Sequence, residues 1–289
     1  MKTKLSTVFA VTALALSISG QVSAKSIQIG SDAQDYQETK VEMLKRIEMK
    51  LHKASPSLIN YPLTLDPISS QFAEETGSRY TPVVFTGRSF LMDDEGTMFD
   101  PKYTFIIGEK GIGLASNKLI SLEMKNRNWP SHEVNKDVTK KGDVYVLTDP
   151  TCGYCHEVEK EIDTYTANGL EVHLVPYPRS GVASLDSAGM GRWAAAACSE
   201  EPAKAYREIS LGNLDKYATP TDINAECVDI IREGYKLGQK IGIGGTPFMF
   251  GENLDGDVYS QPGYIAVDKF ASAMGILIKP DGSQNILNK

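Results

Sequence analysis

The spacing of apolar positions along this chain changes several times, and each change marks an element. Residues 5 to 18 are mostly apolar behind Lys2 and Lys4, and the run closes at Val22-Ser23-Ala24. It is shorter than the ~20 residues that span a bilayer. A basic start, an apolar middle and a small-x-small end make a secretory signal peptide covering 1–24. From 35 to 54 the period turns helical, with Tyr36, Val41, Met43, Leu44, Ile47 and Leu51 set among charges, until Ser55-Pro56 stops it. Short β-type runs follow at Thr81 to Thr86, Phe90 to Met92 and Tyr103 to Ile107, divided by Gly87-Arg88, Asp93-Asp94-Glu95-Gly96 and Glu109-Lys110-Gly111. This predicts a small α+β domain over about 26–115.

Between 116 and 133 the chain reads as a polar helix with a thin stripe at Leu119, Ile120, Leu122 and Met124, interrupted by Trp129-Pro130. Such a stripe is too narrow to build a core, so 116–137 is expected to be a linker helix. The next run, Val144-Tyr145-Val146-Leu147, is continuously apolar, as in a strand buried on both faces. A helix follows at once, with Cys155, Val158, Ile162 and Tyr165 on its inner face and a stop at Asn168-Gly169. Leu170 to Val175 returns to a strand, and a β-α-β unit of this kind implies a parallel pair. Two long helical segments are expected at 187–209 and 221–240. Thr246 to Phe250 and Val258-Tyr259 then make a hairpin around Asp255-Gly256, and Pro262 to Leu277 closes with a helix. That order is α/β: a thioredoxin fold with an inserted helical subdomain over 138–289.

Composition narrows the chemistry. The chain has 30 basic and 37 acidic residues, and loss of Lys2 and Lys4 with the leader takes the net charge from -7 to -9. An acidic surface without a basic, aromatic-interleaved block excludes nucleic acid as a partner. Beyond the leader no stretch is long enough to cross a membrane, so the mature chain is expected to be soluble and periplasmic. Four cysteines in an exported chain fit an oxidising compartment.

Cys152-Gly153-Tyr154-Cys155 sits where the strand ending near 148 turns into a helix, which puts Cys152 at the helix N-terminus. Unpaired N–H groups and the helix dipole there favour an anion. A thiol with pKa near 8.5 is only about 3% ionised at pH 7, whereas one lowered to about 5 is nearly all thiolate. Cys155, on the apolar side three residues on, is placed to resolve a mixed disulfide formed on Cys152. A purely structural bridge is the plainer reading, but one closing four residues restrains the unfolded chain little. Cys155-His156 also completes a C-x-x-C-H haem pattern. The buried strand, the α/β order and the lack of a clear axial ligand among the methionines and His52, His132 and His173 weigh against it. A zinc site would need a second cysteine pair close by, and no metal or other cofactor is expected. Cys198 and Cys227 are left to pair with each other, since the C-x-x-C must stay free to cycle. That bridge would close about 30 residues and contribute roughly 3 to 4 kcal/mol.

Taken together, Cys152-Gly153-Tyr154-Cys155-His156 after a strand, Gly245-Thr246-Pro247 before the hairpin, and the spaced pair between them resemble the DsbC/DsbG family of periplasmic disulfide isomerases. The resemblance covers roughly 140 to 280, including Ala194 to Cys198 and Cys227 through Gly244 to Pro247, and a plasmid-borne DsbP-like member falls within it. It implies a cis Pro247 facing the cysteines, with the Thr246 backbone free to pair with an extended substrate. It implies a homodimer joined through the N-terminal domains around an apolar cleft, with misoxidised exported proteins as substrates. It also implies a DsbD-type membrane reductase as partner, and a redox poise tuned by Gly153 and Tyr154. A reductase or oxidase of the same fold, or a chaperone-like binding module, remain as alternatives. Gly111-Ile112-Gly113 and Gly242-Ile243-Gly244 lack phosphate-loop spacing, and Asp93-Asp94-Glu95 and Asp255-Gly256-Asp257 read as turns.

Overall fold

The computed structural model describes residues 29–108 and 111–278, so the expected leader at 1–24 and the Glu109-Lys110 turn lie outside the described residues. Helix α1 runs Ile29–Ala54 and ends at Ser55-Pro56. Its Met43, Leu44 and Ile47 are buried against Leu63, Val83 and Met92, whereas Val41 of the expected stripe stays 39% exposed. Strand β1 (Thr64–Leu65), helix α2 (Ser69–Thr76), β2 (Thr81–Phe85), β3 (Arg88–Met92) and β4 (Met98–Phe99) follow, and the strands form one antiparallel sheet in chain order. The β2–β3 turn is Thr86-Gly87 with φ of 51° and 77°, the positive pair that suits a two-residue hairpin. A separate hairpin joins β5 (Phe105–Gly108) to β6 (Gly111–Leu114).

Helix α3 is Ala115–Lys125, and it does not behave as the exposed spacer expected over 116–137. Leu119 and Leu122 pack with Ile68, Phe72 and Leu91, while Ile120 and Met124 pack with Tyr145 and Leu147. Each face serves a different core, so the stripe looks thin when a single buried face is assumed. Beyond it, Ser131–His132 forms β7, paired antiparallel with a strand of the second sheet.

That sheet has the order β11-β10-β8-β9-β7, built from β8 (Gly142–Thr148), β9 (Leu170–Pro176), β10 (Phe248–Asn253) and β11 (Val258–Pro262). The β8 and β9 strands are parallel and β10 is antiparallel to β8, as the thioredoxin order requires. Val144 and Val146 face one layer with Val158, Trp193 and Phe270; Tyr145 and Leu147 face the other with Ile120 and Leu237.

The helices depart from expectation where proline or a local turn intervenes. The cysteine helix is two pieces, α4 (Gly153–Lys160) and α5 (Ile162–Ala167), broken at Glu161. The segment 187–209 divides into α6 (Ala188–Ala197) and α7 (Pro202–Ser210), because Pro202 cannot donate to the preceding turn and restarts the helix at its first position. Only Asp229–Ile241 of the next segment is α-helix, α8, capped by Gly242 at φ 67°. The last helix, α9, is Val267–Ala273, since Pro262 still belongs to β11. No described helix is long and apolar enough to cross a membrane.

Candidate active site

Cys152 is the residue immediately before α4, with extended backbone at φ -96° and ψ 117°. The Asp149-Pro150-Thr151 turn holds it there, with Cys152 N–H donating to the Asp149 carbonyl at 3.0 Å. Asp149 is buried, and one of its carboxylate oxygens accepts from Thr151 N and Oγ1 at 2.8 and 2.7 Å. Its other oxygen accepts from Arg179 N and Nε at 2.8 and 3.1 Å. A second Arg179 nitrogen reaches the Thr151 carbonyl at 3.2 Å, so the guanidinium is fixed beside the turn that carries Cys152.

The Thr246-Pro247 peptide is cis, and the Cys152 thiol donates to the Thr246 carbonyl at 3.3 Å across 94 residues of sequence. Gly263 N–H, just past β11, anchors the Pro247 carbonyl at 2.8 Å. From this loop a groove of about 510 Å³ runs along Ile243, Gly244, Gly245 and Phe248 toward Ile120 and Leu114. Tyr154 is 68% exposed at its edge of the cysteine turn.

The two sulfurs differ in environment. Hydrogen bonding from the Cys155 thiol does most to favour the Cys152 thiolate. Burial opposes it, while Thr246, the Cys155 N–H and the Arg179 charge add to the lowering, and the thiol is pulled down to about 5. Cys155 is fully buried, and burial together with the neighbouring Cys152 pushes its thiol well above the usual range. One sulfur is thus an anion at neutral pH and its neighbour holds a proton.

The second pair, Cys198 and Cys227, is bonded, with Cα atoms 5.1 Å apart. This leaves no thiolates for a zinc site with the first pair. Covalent haem would need both sulfurs of the first pair open to a macrocycle, and Cys155 is closed over; His156 turns its ring to the Pro150 carbonyl at 3.0 Å. Asp143, Glu171 and His173 cluster on β8 and β9, but the Lys140 ammonium already lies 2.7 Å from both carboxylates.

The thioredoxin-like domain family matches residues 134–276, a span holding both cysteine pairs and Thr246-Pro247. The thiol:disulfide interchange protein DsbC of Salmonella typhimurium is 30% identical over 190 residues, which is 64% of this chain and 71% of that protein. This chain belongs to the DsbC family. The Escherichia coli DsbC is likewise 30% identical, over 172 residues, and the aligned stretch is 58% of this chain and 66% of that relative's length. A solved disulfide interchange protein from Neisseria gonorrhoeae superposes with a TM-score of 0.37 at 20% identity, covering 50% of this chain and 92% of that one.

Within this DsbC-family chain, the fold gathers residues that no sequence pattern singles out. Asp149 could have been suspected from its place before a proline in a turn. Arg179 carries no such signal, because its pairing with Asp149 depends on β8 and β9 lying side by side. Thr148, Trp193 and Tyr206 form a buried set behind the cysteines: Trp193 Nε1 donates to the Thr148 carbonyl at 3.0 Å, and the Thr148 and Tyr206 hydroxyls lie 2.6 Å apart. Gly242 is a helix cap and no phosphate loop.

Proposed function

We propose that this chain is a periplasmic thiol-disulfide oxidoreductase that isomerises non-native disulfides in exported proteins, with Cys152 attacking and Cys155 resolving. The observation that carries the reading is the opposed ionisation of two neighbouring sulfurs, Cys152 low at about 5 and Cys155 raised by burial. The Cys152 thiolate attacks one sulfur of a wrong bridge, the bridge breaks, and the substrate's other sulfur leaves as thiolate. That freed thiolate attacks another bridge of the substrate, and the thiolate this releases attacks the substrate sulfur held by Cys152, so Cys152 leaves as a thiolate and the bridges have been rearranged. Alternatively Cys155 gives up its proton and attacks Cys152, which releases reduced substrate and leaves the enzyme oxidised. Gly153 and Tyr154 set the poise, and a DsbD-type reductase restores the dithiol.

Thr246 and Pro247 hold the substrate chain against Cys152, a role supported by the 3.3 Å contact and the groove leading from the loop. The name thiol:disulfide interchange protein borne by the relatives supports the chemical class. Residues 26–115 act as the dimerisation domain, joined through 116–137 to the catalytic domain at 138–289. Met49, Ile59 and Tyr61, exposed on and after α1, favour an apolar contact there. The leader at 1–24 directs export.

Pre-reduced protein given to a substrate with scrambled bridges, without other oxidant or reductant, recovers native substrate activity under this reading. Oxidation of reduced substrate with no recovery from the scrambled form refutes isomerisation and leaves an oxidase. A chaperone role would survive Cys152→Ala, and isomerisation would not. Sedimentation at micromolar concentration gives a dimer, and a monomer alone refutes the assembly.

A further inference from the structure

The groove that leads away from the Thr246-Pro247 loop ends at charges of one sign. Leu114 and Ile120 form one wall and Ile243 and Phe248 the other. Among the described residues its lining holds no carboxylate and one charged side chain, Lys102, in a chain where acidic residues outnumber basic ones 37 to 30. Arg88 of β3 stands beside it: a methyl added at Gly242 would lie 2.6 Å from Arg88 Nη2 and 3.3 Å from Lys102 Nζ. The Lys102 ammonium donates to the Gly242 carbonyl at 3.0 Å and so helps to cap the C-terminal end of α8. Capping uses one of its three donors, and the Arg88 guanidinium makes no hydrogen bond or ion pair among the described residues. Asp100 and Glu123 lie in the same corner, but the first accepts from the Lys102 N–H at 2.9 Å and the second pairs with Lys240 and Arg127. Two cations held together without a counter-charge repel, and an anion between them removes that repulsion.

The backbone between that cation pair and Cys152 has open pairing positions. The Gly242 and Ile243 N–H groups close α8 on the Gln239 and Gly238 carbonyls. The next three, those of Gly244, Gly245 and Thr246, have no hydrogen bond among the described residues, and the Thr246 hydroxyl is buried without a partner. At Gly244 and Gly245 nothing lies within 4 Å of an added Cβ, so the approach is clear. Consecutive unpaired backbone groups beside an apolar groove suit an extended peptide laid along them. Thr246 is the residue whose carbonyl accepts from the Cys152 thiol, and Gly242 precedes it by four residues, a span of at most about 14 Å. A substrate segment joined to Cys152 and lying along this loop therefore brings its third or fourth residue from the bridged cysteine to Lys102 and Arg88.

We propose that Lys102 and Arg88 form an anion-binding subsite that favours substrates carrying an aspartate or glutamate three or four residues from the attacked cysteine. The proposal rests on the exchange chemistry assigned above and says which disulfides that chemistry reaches first. The substrate carboxylate bonds to the uncommitted donors of both cations, while apolar side chains of the same segment cover Ile120 and Ile243. This preference is opposite in sign to the field of the whole chain, whose net charge of -7 repels an acidic segment. Arg179 and Arg192 lie at the turn that carries Cys152 and act on charges next to the bridged cysteine instead.

The test is reaction of the reduced full-length mature chain with nine-residue peptides whose central cysteine carries a thionitrobenzoate disulfide. Attack by Cys152 on the peptide sulfur breaks that disulfide, forms a mixed disulfide and releases coloured thionitrobenzoate. Glutamate, glutamine or lysine fills the third and fourth positions on both sides of the cysteine, and alanine fills the rest. The second-order rate constants should fall in the order glutamate, glutamine, lysine, with about fivefold between the first two at low ionic strength. Lys102→Gln combined with Arg88→Gln should bring the glutamate-to-glutamine ratio to about one, and Lys102→Arg should keep it near fivefold. With the glutamates moved next to the cysteine, the ratio should no longer respond to the double change. A lysine peptide that reacts as fast as the glutamate peptide in the native chain, or a ratio that survives the double change, overturns the proposal. Far-UV circular dichroism checks the fold of each variant, and the order of the three peptides in the native chain decides should a variant not fold. Failure of every peptide to release thionitrobenzoate is a different result, which overturns the exchange chemistry and the proposal with it.

Discussion

Replacing Lys240 with methionine would strand two buried carboxylates. The Lys240 ammonium lies 2.7 Å from Asp66 Oδ1 and 2.5 Å from Glu123 Oε1, tying α8 both to the loop before α2 and to α3. Asp66 and Glu123 are 0% and 2% exposed, so solvent cannot substitute for the lost cation. Breaking a buried pair by removing one partner costs about 3–5 kcal/mol. Glu123 keeps Arg127 at 2.9 Å, and Asp66 keeps the Ile68 N–H at 3.2 Å and the Ser89 hydroxyl at 2.9 Å, which places the expected loss near the lower end, about 3 kcal/mol. The sign with pH follows from Glu123. Its burial, which would raise the carboxyl, is outweighed by Lys240 and Arg127, and it is held below the usual range. A depressed carboxyl adds stability above its unfolded pKa of about 4.3, and that stability is lost as pH falls through the lower folded value. The gap between native chain and variant is therefore full at pH 7.5 and narrows below about pH 4 as Glu123 takes up its proton. Urea unfolding followed by fluorescence of Trp129 and Trp193 measures it at both pH values. A loss under about 1 kcal/mol at pH 7.5, or a gap of constant size in acid, would refute the reasoning.

Replacing Cys198 and Cys227 together by alanine removes a bridge across a separation of 29 residues and should lower stability by about 3–4 kcal/mol, read in the same urea titration; a loss below about 1 kcal/mol counts against a constraining role. Gly238→Ala drives a methyl into Tyr177 and Leu147 and should destabilise by about 2–3 kcal/mol in thermal unfolding. Gly153→Ala meets nothing within 4 Å and should stay within about 0.5 kcal/mol of the native chain. Equal effects from the two glycine changes would contradict the packing described around α8.

The sequence pattern was strongest where one physical cause dominates. Val144 to Leu147 reads as a strand covered on both sides and Cys152 as the start of the helix after it, so the thioredoxin order was legible. It was weakest where two causes compete. The helical period across 187–209 hides the break at Pro202, and the alternating burial of α3 hides a helix serving two cores. The partners of the cysteines were legible only by resemblance, since nothing in the sequence around Thr246 and Cys152 states that a separation of 94 residues closes to 3.3 Å. Glu159 was invisible as a buried group: a glutamate on a charged helix reads as surface, yet the fold leaves it 0% exposed.

The central claim is that the Cys152 sulfur is an anion at neutral pH while its neighbour stays protonated. Thiolate absorbance at 240 nm of the reduced chain, followed from pH 3 to 10 and paired with mass mapping of alkylated cysteines, measures this directly. One thiol titrating near 5 and mapping to Cys152, with Cys155 unreactive throughout, is the predicted result. A Cys152 titration near the free value of about 8.5 would contradict it.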